Sequence, residues 1–346
     1  MKFLKDKFNM MEPYHSSIIK NGIILNANES PYEPPLIIKD SIKKAILDIE
    51  LNRYPDMDCN LINESIAKHF NIKKENVTCG VGSDELLDTM FRAVLNEGDI
   101  VLGFSPSFSM YKVFAELSLA KYIPITGDKF MQFHIDDMIK SIKKYNPKIV
   151  LICSPNNPTG QFFTKEEVKK VIESTNALVA IDLAYNDFAE EDYSTISLDY
   201  PNVICFKTFS KALALPSIRL GYAISTKDNI DMLNAIKAPY SVTTLTQVIG
   251  KIAIDNYSLY QGQINLIKKE RDLIYDTLKN RGYNIYPSKA NFLFIIMDDK
   301  NYDLLLNNKI YIRKLKSNTY RITVGNHFEN EKLLEVLKWE KKKLKE

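Results

Sequence analysis

Between residues 36 and 324, short apolar runs alternate with amphipathic stretches. Ile149-Val150-Leu151-Ile152-Cys153, residues 178–181 and residues 203–206 are unbroken apolar runs, each ending in polar or turn-forming residues. A strand wetted on one face would alternate. Unbroken runs fit strands buried on both faces, as in parallel sheets covered by helices. Between the first two, residues 165–174 read as a crossover helix with Thr164 as its N-cap, a hydroxyl able to accept from a free first-turn amide. The expected class is α/β, with ligands beyond the carboxyl ends of the strands. From about residue 243 to 280 the rhythm becomes one long, bent helical stretch. Two apolar strands (292–297 and 320–324) and a terminal helix from about residue 330 follow. We therefore expect an arm over 1–30, a large domain over 31–240 and a smaller α+β domain over 241–346.

Composition narrows the function classes. The 346 residues carry 46 basic and 43 acidic side chains, dispersed, for a net charge of +3, which offers no surface for nucleic acid. The locally basic stretch 338–345 reads as the solvated face of the terminal helix. Cys59, Cys79, Cys153 and Cys205 lie far apart with no C-x-x-C spacing, so free thiols in a reducing, cytoplasmic setting are expected. His15, His69, His134 and His327 have no ligand spacing, and no metal site is expected. The N-terminus lacks a signal peptide's apolar core, and no apolar run has the length of a membrane span.

The chemistry-bearing residues follow the apolar runs. Thr208-Phe209-Ser210-Lys211 comes just after one run, and Arg219-Leu220-Gly221 begins eight residues beyond Lys211. Hydroxyls and a guanidinium around a lysine suit a phosphorylated aldehyde: the amine condenses with the carbonyl, and the others grip the phosphate. Asp182 ends another run, with Tyr185 close behind. A carboxylate at a buried strand end needs a partner, which a helix cap, an ion pair or a ligand would equally supply. Asn156-Asn157-Pro158-Thr159-Gly160 forms a rigid turn. Gly80-Val81-Gly82-Ser83-Asp84-Glu85 leads into an expected helix at 86–96, offering amides and the positive dipole end to an anion. It lacks a dinucleotide motif's third glycine and a P-loop's Gly-Lys-Ser/Thr ending. Ser83 and main-chain amides are expected to do the holding, with the carboxylates of Asp84 and Glu85 turned elsewhere.

In this order the segments resemble the fold-type-I aminotransferases dependent on pyridoxal phosphate (PLP), nearest their histidinol-phosphate aminotransferase branch. Residues 25–29, Arg53-Tyr54-Pro55-Asp56, Ala290-Asn291-Phe292 and Arg321-Ile322-Thr323-Val324-Gly325 carry the likeness further, over nearly the whole chain. The resemblance implies a large domain with a mostly parallel sheet flanked by helices, and a smaller α+β domain. It also implies that Lys211 holds PLP as a Schiff base and shuttles the proton. Asp182 would pair with the pyridinium nitrogen, Asn157 and Tyr185 with the phenolic oxygen, and Phe108 would stack on the ring. Ser83, Thr208, Ser210 and Arg219 would hold the phosphate, with Asp84 beside them. Tyr54 and Tyr14 would reach cofactor and substrate from the other subunit of a homodimer. Arg321, with Asn157, would bind the substrate anion. The implied reaction moves an amino group between a small-molecule donor, histidinol phosphate first, and the 2-oxo acid 2-oxoglutarate. An aromatic or other amino-acid aminotransferase and a threonine-phosphate-type decarboxylase are the alternatives. The chain departs from the branch at Pro216-Ser217-Ile218 and in a short connection from Arg313 to Arg321, features that bear on the substrate more than on the reaction.

Overall fold

A computed structural model describes residue 8 and residues 21–128 and 131–338. Its strands, in chain order, are β1 (Ile23–Leu25), β2 (Val77–Val81), β3 (Ile100–Ser105), β4 (Lys121–Thr126), β5 (Ile149–Cys153), β6 (Leu178–Asp182), β7 (Val203–Thr208), β8 (Leu220–Ser225), β9 (Asn284–Tyr286), β10 (Phe292–Ile296), β11 (Ile310–Lys316) and β12 (Thr319–Thr323).

Seven strands form the large sheet, in the order β2-β8-β7-β6-β5-β3-β4. All pairs are parallel except those that β8 makes with β2 and β7. The unbroken apolar runs lie at the centre, and alternate residues feed two separate cores. Val150, Ile152, Val179, Ile181 and Val203 enter one. Ile149, Leu151, Ala180, Ile204 and Phe206 enter the other. A fully buried aliphatic side chain contributes about 1.5–3 kcal/mol, so helices must cover both faces. Pro124 sits in β4, an edge strand, where its missing N–H leaves no ladder bond unmade. The crossover helix spans Lys165–Glu173, and Thr164 and Glu167 close a reciprocal capping box at its start.

The five-stranded sheet runs β1-β11-β12-β10-β9. Its edge strand β1 comes from the segment expected to be an arm and pairs in parallel with β11. The long helical stretch breaks into Thr244–Asp255 and Gln261–Asn280 around a short 3-10 turn at Tyr257–Tyr260. Two helix starts fall earlier than the sequence pattern indicates. The helix after β2 spans Gly82–Val94 rather than 86–96, because Gly82 at φ +77° turns the chain from strand straight into helix. The terminal helix spans His327–Val336, opened by an Asn326–Glu329 capping box. The basic tail beyond residue 338 lies outside the described residues.

Candidate active site

The carboxyl ends of β5, β6 and β7 open into a cavity of about 260 Å³, closed on the far side by the segment after β1 and by the β11–β12 hairpin. Of the residues predicted from sequence, Ser83, Asp84, Phe108, Asn157, Asp182, Tyr185, Thr208, Ser210, Lys211, Arg219 and Arg321 all line it. Tyr54 does not. It is highly exposed and stacks on Tyr240 of the same chain, with ring centroids 4.8 Å apart. Tyr14 lies outside the described residues.

One end of the cavity is built for an oxyanion. The Ser210 amide donates to Thr208 Oγ1 at 3.1 Å, and the two hydroxyls lie 3.0 Å apart. Arg219 Nη1 donates to Ser210 Oγ and to the carbonyl of Pro216, so the proline turn tethers the guanidinium that faces the cradle. Gly221 permits β8 to lie against the Gly82-Ser83 turn. A Cβ there would stand 2.1 Å from the Ser83 amide nitrogen. The acidic pair splits. Glu85 turns away, accepting from the Val81 amide at 2.6 Å, as expected. Asp84 does not: its Oδ2 lies 3.3 Å from Arg219 Nη2, because the guanidinium is the nearest strong cation. An incoming phosphate would compete with Asp84 for Arg219.

At the opposite end, β6 ends on Asp182, which is 6% exposed. Its Oδ1 accepts from the Ala184 amide at 3.0 Å and its Oδ2 from the Tyr111 hydroxyl at 2.6 Å. No cation pairs with it among the described residues. Burial pushes its pKa up to about 6, against the pull of those two hydrogen bonds. A buried carboxylate poised in this way suits a ligand that brings a protonated nitrogen.

Lys211 lies between the two ends. Its Nζ donates to the Ala27 carbonyl at 3.3 Å and sits 5.7 Å from the centre of the Tyr185 ring. Burial, then the neighbouring Arg321, lowers its pKa to about 8 although Glu29 and Asp84 oppose them. That shift favours the neutral, nucleophilic amine. Tyr185 accepts from Asn28 Nδ2 at 2.9 Å, and burial raises its phenol well above the ordinary range. Arg321 donates from Nη1 to Asn157 Oδ1 at 2.6 Å and from Nη2 to the Asn26 carbonyl at 2.8 Å.

Three residues here were not among the sequence candidates. Asn28, at φ +54°, orients Tyr185. Tyr111 holds Asp182. Arg313 stands opposite Arg321 in the β11–β12 register and shares the cavity. Asn28 lies in the 25–29 motif and Arg313 at the start of the short connection to Arg321, so both had a readable signal, whereas Tyr111 had none.

The residues present fit PLP: an amine of lowered pKa, an oxyanion cradle with a guanidinium, and a buried carboxylate awaiting a protonated ring nitrogen. Such a site on a mostly parallel sheet suits an enzyme of amino-acid chemistry with a carbonyl cofactor. Residues 20–337 match the family of class I and II aminotransferases, and the chain belongs to it as a PLP-dependent transaminase. The histidinol-phosphate aminotransferase of Thermoanaerobacter pseudethanolicus is 33% identical over 91% of this chain and 92% of its own length. That of Pyrococcus furiosus is 36% identical over 94% and 95%. The fold is similar to that of the Sinorhizobium meliloti histidinol-phosphate aminotransferase solved in complex with PLP. The TM-score is 0.88 with 21% identity, covering 97% of this chain and 98% of that one.

Proposed function

We propose that this transaminase exchanges the amino group of L-histidinol phosphate with 2-oxoglutarate, working as a homodimer in the cytoplasm. The observation that carries the substrate reading is the pair of arginines: Arg313 and Arg321 face each other across the β11–β12 hairpin at the cavity wall. Histidinol phosphate has no carboxylate, so its phosphate is the anion those guanidiniums would meet. In the other half-reaction Arg321 would take the carboxylate of glutamate, since a guanidinium fork suits both groups. The names of the relatives favour the same donor.

In the mechanism, bound PLP supplies an electron sink that stabilises negative charge at the substrate carbon. The chain's residues do the rest. Asp182 would keep the ring nitrogen protonated, Tyr185 and Asn157 would bind the phenolic oxygen, and Phe108 would pack against the ring; all four line the cavity. Ser83, Thr208, Ser210 and Arg219 would hold the phosphate, and Tyr54 of a second copy would reach the same group; the high exposure of Tyr54 in the single chain fits a residue that a partner subunit covers. Lys211, a buried amine of lowered pKa beside the substrate end of the cavity, would take the proton from the substrate carbon and hold it for return. A pKa near the operating pH suits both directions of that transfer.

A panel of amino donors under single-turnover conditions tests this reading. Histidinol phosphate and glutamate should each discharge the cofactor's visible band, with no CO₂ released. A strong preference for tyrosine or phenylalanine over histidinol phosphate would overturn the substrate assignment.

A further inference from the structure

Asp182 can serve a protonated ring nitrogen only as a carboxylate, yet it is buried where the charged form is disfavoured. The side chains facing it are Cys153 from β5, in register with Asp182, Tyr185 from the following turn, Asp84 from the helix after β2, Lys211 and Tyr111. Cys153 stays a neutral thiol, since burial pushes it up. Asp84 repels the charge, and Lys211 favours it more weakly than the hydrogen bonds do. Tyr111 is different in kind. It is 1% exposed, on the helix Met110–Leu117, and burial keeps its phenol protonated and therefore a donor. Its hydroxyl meets Asp182 Oδ2 at 2.6 Å, a charge-assisted length, while the Ala184 amide takes Oδ1. The carboxylate is thus held at both oxygens. The same ring braces Phe108 edge-to-face, with centroids 5.4 Å apart and planes at 86°.

We propose that Tyr111 is a positioning residue of the reaction, one that never touches substrate but keeps Asp182 ionised and aimed at the cofactor's ring nitrogen. The proposal rests on the reading that Asp182 meets that nitrogen. It separates from a merely structural tyrosine through pH. Removing one charge-assisted hydrogen bond raises the carboxyl's pKa, by about one pH unit if the bond is worth roughly a factor of ten. Affinity for PLP should then be lost at higher pH than in the parent protein.

The test is PLP affinity by equilibrium dialysis of the full-length protein from about pH 5 to pH 9, for the parent, Tyr111→Phe and Asp182→Asn. Phenylalanine keeps the ring against Phe108 and removes only the hydroxyl. PLP's own ionisations are common to parent and variant and cancel in the comparison. The proposal expects the acid-side fall in affinity to move up by about one pH unit in Tyr111→Phe, with up to roughly tenfold weaker binding at the acid end and convergence above about pH 8. Superimposed profiles, or a loss equal at every pH, would overturn it. Asp182→Asn separates the two levels: if it leaves PLP affinity intact, the reading of Asp182 itself fails. If it weakens binding while Tyr111→Phe does not, only the role of Tyr111 fails. Should Tyr111→Phe not fold, a ring-fluorinated tyrosine at position 111, a stronger donor, should move the fall to lower pH, and no movement would refute the proposal.

Discussion

Capture of PLP by the cofactor-free protein should saturate with pH near the value that Lys211 is given by its surroundings. An ordinary lysine has a pKa of 10.5, whereas Lys211 is lowered to about 8, first by burial and then by Arg321. At pH 7 about a tenth of Lys211 is then the neutral nucleophile, against roughly one part in three thousand for an ordinary lysine, a gain of about 300-fold in reactive amine. Stopped-flow absorbance of the lysine-bound cofactor reads the capture rate directly. The rate should rise tenfold per pH unit at the acid end and level off above about pH 8. Arg321→Gln removes the second cause but not the first. The plateau should therefore move to higher pH by less than about one unit, slowing capture a few-fold at pH 7 and leaving the alkaline rate unchanged. A parent rate still climbing past about pH 10 would refute the argument that this cavity prepares its lysine.

Three further outcomes follow from the packing around the site. Lys207, a buried residue of β7, lies 3.6 Å from both the largely buried Asp187 and the half-exposed Asp192. Lys207→Met leaves the largely buried Asp187 without its cation, while water screens the half-exposed Asp192, and should cost about 2–3 kcal/mol in urea unfolding; a loss below about 1 kcal/mol would contradict a stabilising Lys207–Asp187 contact. Burial alone would lower the pKa of Lys207, but the two aspartates outweigh it and raise it. Its contribution should therefore persist below the unfolded lysine's 10.5 and fade only as pH rises through the higher folded value. Gly221→Ala drives a methyl into the Ser83 amide and should weaken PLP retention by more than about tenfold while the sheet still forms; unchanged retention by dialysis would show that this turn does not hold the phosphate. Arg313→Gln should raise KM for histidinol phosphate about tenfold and leave glutamate nearly untouched, whereas equal effects on both would remove Arg313 from donor selection.

Much of the fold was legible because the central strands are buried on both faces and carry unbroken apolar runs. Those of β5, β6 and β7 were readable to within two residues, and the chemistry followed at their ends. What the pattern missed was set by backbone geometry and by partners distant in sequence. Gly82 starts its helix through a positive φ that no periodicity reveals. Asp84 faces Arg219, 135 residues away, rather than turning aside. The 23–25 segment pairs with a strand nearly 290 residues later, so its three apolar residues resembled part of an arm. Nothing in the sequence separates Tyr111 from a core aromatic, since its hydroxyl matters only once helix and sheet are packed against each other.

The account turns on which lysine carries the cofactor. Borohydride reduction of the PLP-loaded protein, followed by proteolysis and mass spectrometry, should place a single phosphopyridoxyl label on Lys211 and none after Lys211→Ala. A label on Lys207, four residues upstream, or an adduct that survives Lys211→Ala would contradict it.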